Sequence, residues 1–164
     1  MSKEPYHWAE IACGFNRKTK ISPLFGALIA GTIVNGGVMV EPTIIKSVKD
    51  KNGIQLYHNK KTVLNRTMKA STAKEIKKMM NATIASGTSR KSFRGYKRDS
   101  TLSKLSIGGK TGSIFNTARN IKFDWFVGFA EEKKGSKKLA VAVVVGHGKY
   151  IGVRASRYGR MIMK

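Results

Sequence analysis

The stretch Ile107-Gly108-Gly109-Lys110-Thr111-Gly112-Ser113, followed at short range by Phe123-Asp124-Trp125-Phe126-Val127-Gly128-Phe129-Ala130, decides how the rest of the chain is read. The first segment reads as a strand at a sheet edge, the second as a buried strand behind it. Two glycines before the lysine and one after the threonine leave the backbone uncrowded, so a ligand can lie directly against it. Lys110 supplies a fixed positive charge. Thr111 and Ser113, two residues apart, point to the same side of a strand. An edge of this kind suits holding a carboxylate while backbone N–H groups face a reacting carbonyl.

Working outward, the spacing predicts a strand over Leu105 to Ile114 and a covered central strand over Asp124 to Ala130, apolar on both faces. Glu131 to Lys138, with Gly135-Ser136, reads as a hairpin turn into a second buried strand, Leu139 to Val145. His147, between Gly146 and Gly148, reads as a capping or loop residue. A terminal helix follows over Val153 to Met163, with Ala155, Tyr158, Met161 and Ile162 inward. Upstream, Thr72 and Glu75 have capping-box spacing. The helix they open runs to Ala85, with Ala73, Ile76, Met80 and Ile84 on one face and Lys74, Lys77 and Lys78 in water. Ser86-Gly87-Thr88 closes it.

Nearer the N-terminus, Ser22-Pro23 starts a helix over Leu24 to Val34 that is apolar all round and therefore expected inside the protein. Asn35-Gly36-Gly37 is a left-handed cap signal. Val38 to Val40 and Ile44 to Val48 carry short β signals, and Asp50-Lys51-Asn52-Gly53 turns the chain into Ile54 to Tyr57 as a hairpin. The succession of elements is an α+β layout with one antiparallel sheet and flanking helices, in a single domain spanning 1–164.

The chain holds 32 Lys+Arg against 9 Asp+Glu, a net charge of +23, which favours an anionic partner. The densest run is Ser89 to Lys104, where Arg90, Lys91, Arg94, Lys97, Arg98 and Lys104 face one acid, Asp99, with Phe93 and Tyr96 interleaved. A basic nucleic-acid-binding protein without enzymatic activity is the alternative reading that this run supports. Nothing in the chain resembles a helix-turn-helix, a zinc finger or an RNP aromatic pair, so the run is read instead as a flexible basic loop. Gly109-Lys110-Thr111 also resembles the end of a phosphate-binding loop, but that motif needs glycine five positions earlier, where Lys104 stands. Cys13, the one cysteine, excludes an internal disulfide and reads as a small buried apolar residue. The three histidines show no metal-ligand spacing, and no metal or cofactor is expected. Met1 to Glu10 has no apolar run and no stretch reaches 18 apolar residues, so neither a signal peptide nor a membrane span is expected.

Lys110-Thr111-Gly112 is one of the three motifs shared by penicillin-binding proteins and serine β-lactamases. Ser113 after the glycine and the strand Trp125-Phe126-Val127-Gly128-Phe129 extend the likeness. Further matches lie at Gly14-Phe15-Asn16, Ile21-Ser22-Pro23-Leu24, Asn35-Gly36-Gly37 and Ser86-Gly87-Thr88. From about residue 10 onward the chain resembles the C-terminal portion of a penicillin-binding D,D-transpeptidase domain, a partial version of the serine β-lactamase fold. The resemblance implies acyl transfer from an active-site serine. Lys110 would support the proton network, and Lys110, Thr111, Gly112 and Ser113 would bind the carboxylate of a D-alanyl peptide or a β-lactam. The Ser113 backbone N–H would form half of the oxyanion hole.

The family's other two motifs, Ser-x-x-Lys and Ser-x-Asn, precede Lys-Thr-Gly. Ser71-Thr72-Ala73-Lys74 spells the first, but only 36 residues separate Lys74 from Lys110 and no Ser-x-Asn lies between. Tyr57-His58-Asn59, a Tyr-x-Asn variant, comes before Ser71. Ser71 and Thr72 are therefore read as helix caps, with Ser71 and Lys74 kept as a secondary nucleophile pair. The resemblance accordingly implies a C-terminal fragment that cannot acylate alone and that exposes faces and a sheet edge otherwise covered. Its implied partners are peptidoglycan stem peptides, β-lactams, the N-terminal remainder of the domain, and an anionic membrane surface or wall polymer. The full-length protein, of the monofunctional class, would be held at the outer face of the cytoplasmic membrane, or in the periplasm, by an N-terminal anchor.

Overall fold

The computed structural model describes residues 4–14 and 19–164; Phe15-Asn16 of the first family match lies outside them. Helix α1 (Pro5–Cys13) and helix α2 (Pro23–Val34) lead into four short strands, β1 (Val38–Val40), β2 (Ser47–Lys49), β3 (Gln55–His58) and β4 (Val63–Arg66). Helix α3 (Ala70–Ala85) is followed by three long strands, β5 (Leu105–Phe115), β6 (Lys122–Glu132) and β7 (Lys138–His147), and by helix α4 (Ala155–Met163).

The three long strands form one antiparallel sheet in the order β5-β6-β7. Its register is unbroken from Leu105↔Glu132 to Phe115↔Lys122 and sets Thr111 opposite Phe126 and Ser113 opposite Asp124. The single sheet expected from the sequence is thus only part of the β structure. β1 pairs with β4 and β2 with β3 in two separate ladders. These strands are three or four residues long, and both ladders carry a register shift, so they cannot extend the larger sheet.

Alternation along the strands gives the sheet two apolar faces. One face carries Ile107, Phe126, Ala130 and Val141, which pack with Phe93, Leu102, Ala155 and Met163. The other carries Phe129, which packs with Ile33, Val34 and Met80 of α2 and α3. Phe126 is fully buried, and its ring lies 5.8 Å from that of Phe93, centroid to centroid. Three glycines make room for that ring: a Cβ at Gly109, Gly128 or Gly159 would run into it.

Several local expectations are corrected. α3 starts at Ala70 with Lys69 as its cap and no capping side chain, so Thr72 and Glu75 form no capping box and Ser71 and Thr72 are not caps. Starting earlier on Ala70, the best helix former, places both hydroxyl residues within the first turn. Glu75 pairs instead with Lys78 at 2.8 Å, which lowers its carboxyl pKa. Lys77 leaves the water expected for it, pairing with Glu131 with its ammonium 5.9 Å from the centre of the Phe129 ring.

α4 is rotated from the expected inward face. Ala155, Ser156, Gly159 and Met163 are buried, while Tyr158, Met161 and Ile162 are exposed. The helix turns the face without a side chain, Gly159, onto Phe126 because any larger residue there would hold it off the sheet. α2 is not buried all round: Gly26, Ala30, Ile33 and Val34 face inward, but Leu24 is 60% and Phe25 44% exposed. Cys13 is exposed, not buried. The run Ser89 to Lys104 is a packed succession of turns with Ser89, Phe93 and Leu102 fully buried, in place of the flexible loop expected. The expected left-handed cap after α2 is present, with φ of 67° at Gly36 and 89° at Gly37.

Candidate functional site

Among the described residues β5 is an edge strand, so alternate backbone groups along it have no ladder partner there. Two bonds at its ends fix which ones. Lys133 N–H donates to the Lys104 carbonyl at 3.0 Å, and Asn116 N–H to the Ile121 carbonyl at 2.9 Å. With the unbroken register between them, the even-numbered residues of β5 bond to β6 and the odd-numbered ones face away. Thr111 and Ser113 therefore turn their N–H groups to the open side of the sheet. Lys110 is exposed beside them and donates from Nζ to the Thr111 carbonyl at 2.7 Å. The edge thus presents a cation and two outward N–H groups within four residues, with Gly112 adding no side chain between them.

The side chains of Thr111 and Ser113 are each tied from behind. Thr111 Oγ1 shares a hydrogen bond of 2.8 Å with Thr88 Oγ1, which joins the Ser86-Gly87-Thr88 turn after α3 to the strand. Ser113 Oγ donates to Asp124 Oδ1 at 3.2 Å. Asp124 is only 5% exposed, and its other oxygen accepts from the Ala155 N–H at 2.9 Å, satisfying one of the orphan donors of α4. Arg154 Nη1 lies 3.5 Å from Oδ1.

His147, also buried, accepts from the Gly152 N–H at Nδ1, which leaves its proton on Nε2. That atom has no hydrogen-bond partner among the described residues and lies 3.8 Å from Asp124 Oδ2, beyond bonding distance. His147 thus has a structural place behind the strand, in line with the capping role expected of it. Asp124 is the residue that sequence reading passed over. The available signal was an acid, one of 9 in the chain, within an otherwise apolar strand.

The secondary pair is placed elsewhere. Ser71 and Lys74 are exposed on the first turns of α3. Along that helix Lys77 meets Glu131, which pairs with Ser106, and past its far end Thr88 meets Thr111. α3 therefore runs along β5 with its N-terminus at the distant end. From Ser71 to Ala85 the helix climbs about 21 Å, so the structure does not bring Ser71 and Lys74 to Lys110 and Ser113.

A three-stranded antiparallel sheet with helices on both faces and a Lys-Thr-Gly-Ser strand at its open edge is an α+β arrangement of the transpeptidase type. Comparison with known proteins agrees. The model of the penicillin binding protein transpeptidase domain matches residues 2–164. The chain is 30% identical over 139 residues to penicillin-binding protein H of Bacillus subtilis, covering 76% of this chain and 18% of that protein. Among solved structures, penicillin-binding protein A of M. tuberculosis, as its imipenem acyl-enzyme, superposes with a TM-score of 0.73 at 23% identity, over 90% of this chain and 31% of that one. Penicillin-binding protein 3 of the same organism, complexed with ampicillin, gives 0.63 at 19%, over 87% and 33%. The chain belongs to the penicillin-binding protein transpeptidase family, and it spans about a fifth to a third of the length of these relatives.

Proposed function

We propose that this chain supplies the carboxylate-binding and oxyanion-hole side of a peptidoglycan D,D-transpeptidase, which cross-links wall peptides and is acylated by β-lactams. The observation that carries the reading is the edge of β5, where Lys110 and the outward N–H groups of Thr111 and Ser113 stand within four residues on the unpaired side of the strand. Acyl transfer needs donors aimed at the oxygen that becomes negative in the tetrahedral intermediate, and a backbone N–H on a rigid strand supplies one without reorganising. The Ser113 N–H takes that role. Lys110 holds the substrate carboxylate and biases the proton network, with Thr111 and Gly112 shaping the same edge. That the related proteins A and 3 were captured with imipenem and ampicillin supports β-lactams as ligands here.

The nucleophile and its lysine come from the remainder of the transpeptidase domain and not from Ser71 and Lys74, which the length of α3 holds away from the edge. Residues 1–164 are then one part of that larger domain. Among the described residues no helix is long and apolar enough to cross a membrane. The place of action that fits this reading is the outer face of the cytoplasmic membrane, or the periplasm, where wall peptides are cross-linked.

Fluorescent-penicillin labelling of source-cell envelopes, with peptide mapping of each labelled band, tests this. Peptides of this chain are expected in a labelled band far larger than 18.1 kDa. The 164-residue chain alone is expected to form no stable penicilloyl adduct. An adduct on the isolated chain would overturn the division of labour proposed.

A further inference from the structure

The basic run after Thr88 is not absorbed by the acyl-transfer reading. It frames an open cavity of about 610 Å³ whose accessible floor is Ala85, Gly95 and the half-buried Tyr96, with Ile84 and Phe93 buried beneath. Around it stand Arg90, Lys91, Arg94, Lys97 and Arg98, all exposed. None of the five is ion-paired with an acid among the described residues. Asp99, the nearest acid in sequence, is already taken by Lys164 at 3.0 Å and by the N–H groups of Thr101 and Leu102.

The frame is held in place. Arg160 donates to the carbonyls of Ser92 at 3.1 Å and Arg94 at 2.8 Å, and the Ser92 and Ser156 hydroxyls share a bond of 2.7 Å. Phe93 and Leu102 anchor the run in the core with no exposed surface. Five like charges held within nine residues repel one another, and with no acid of the chain between them they are a preformed site for several anions in a row.

We propose that this groove binds a linear phosphodiester-linked polyol polymer, laid along the rim with its carbon backbone over Ala85, Gly95 and the Tyr96 ring. The geometry favours this polyanion over others. A flat bilayer surface cannot follow cations set around a recessed cavity, whereas a linear chain can enter it. A nucleic acid held by stacking would need a succession of exposed ring faces, and this groove has one, the half-buried Tyr96. Acidic side chains of an extended peptide alternate between two faces, whereas a flexible phosphodiester chain can turn every charge to one rim. The inference goes beyond the acyl-transfer reading and does not depend on it.

The test is fluorescence anisotropy of the 164-residue chain with a labelled ten-unit poly(glycerol phosphate) in about 50 mM salt. Arg90→Gln/Arg94→Gln/Arg98→Gln is expected to weaken binding at least tenfold and to make the salt slope shallower by about 2, the loss of roughly three phosphate contacts. Lys91→Gln/Lys97→Gln, on the same rim, is expected to weaken it as well. Lys49→Gln/Lys51→Gln/Lys60→Gln removes equal charge from exposed positions elsewhere and is expected to change affinity less than twofold. Equal losses from the two triple variants would overturn the proposal, since net charge alone would then account for binding. So would competition, at equal phosphate, by single-stranded DNA or phosphatidylglycerol vesicles as effective as that by unlabelled polymer.

Discussion

Gly159→Ala is the sharpest test of how the core is built. In an ordinary exposed helix the change would stabilise, because glycine in a helix interior is about 1 kcal/mol less favourable than alanine. Gly159 lies in α4 directly over Phe126, and an added Cβ would run into the ring. The ring has nowhere to go, since Gly109 and Gly128 already press on it and Phe93 closes the remaining side. Overpacking of this kind costs about 1–3 kcal/mol, so the net effect expected is between zero and about 2 kcal/mol of destabilisation. In a Phe126→Leu background the obstacle is gone and only the helix term remains. There Gly159→Ala should stabilise by about 1 kcal/mol. The double-mutant cycle, measured by urea unfolding, should therefore show a coupling of about 1–3 kcal/mol. At roughly 2–4 °C per kcal/mol for a chain of this size, the two backgrounds should shift Tm in opposite directions or differ by several degrees. Equal stabilisation by Gly159→Ala in both backgrounds would refute the socket around Phe126.

Asp124→Ala should cost about 1–3 kcal/mol, the price of leaving the buried Ala155 N–H without an acceptor, and urea unfolding reads it. A loss below about 0.5 kcal/mol would mean that α4 is not held by this carboxylate. Asp99 should titrate near pH 2, because Lys164 and then the N–H groups of Leu102 and Thr101 lower its pKa from 3.8 to about 2. A folded pKa below the unfolded one gives stability that is present above about pH 4 and is lost as pH falls toward 2. Carboxyl NMR of the chain against Lys164→Gln checks this, and an unchanged titration in the variant would sink it.

The sheet was legible because its signals are local and redundant. Gly108-Gly109 before Lys110 and the apolar run from Trp125 to Ala130 fit only strands, and the register then set Thr111 and Ser113 on one side as their spacing required. The Asn35-Gly36-Gly37 cap and the Asn52-Gly53 turn were legible for the same reason, since positive φ is read directly from glycine. What was not legible depends on long-range packing. The orientation of α4 is dictated by a ring 33 residues earlier in the chain, and nothing in the local periodicity of Val153 to Met163 reports it. The capping box at Thr72 and Glu75 had the right spacing but lost to a helix that could begin three residues sooner on Ala70.

The same distinction separates the two halves of the site. The front of β5 is written in sequence because a backbone edge needs glycine, and a fixed charge needs lysine. Its back is not, because Ser113 and Asp124 are 11 residues apart and meet only through the register of two strands, with α4 brought in from a third element. That meeting has a consequence for how the edge works. Asp124 accepts from the Ser113 hydroxyl and from the first turn of α4 at once, so the position of the strand and the position of the helix are set by one carboxylate. Phe126, two residues along β6, packs under the same helix. The stretch that reads as a motif is therefore held rigid from behind by residues that carry no motif. A backbone N–H can act as a preorganised donor only on a strand so held.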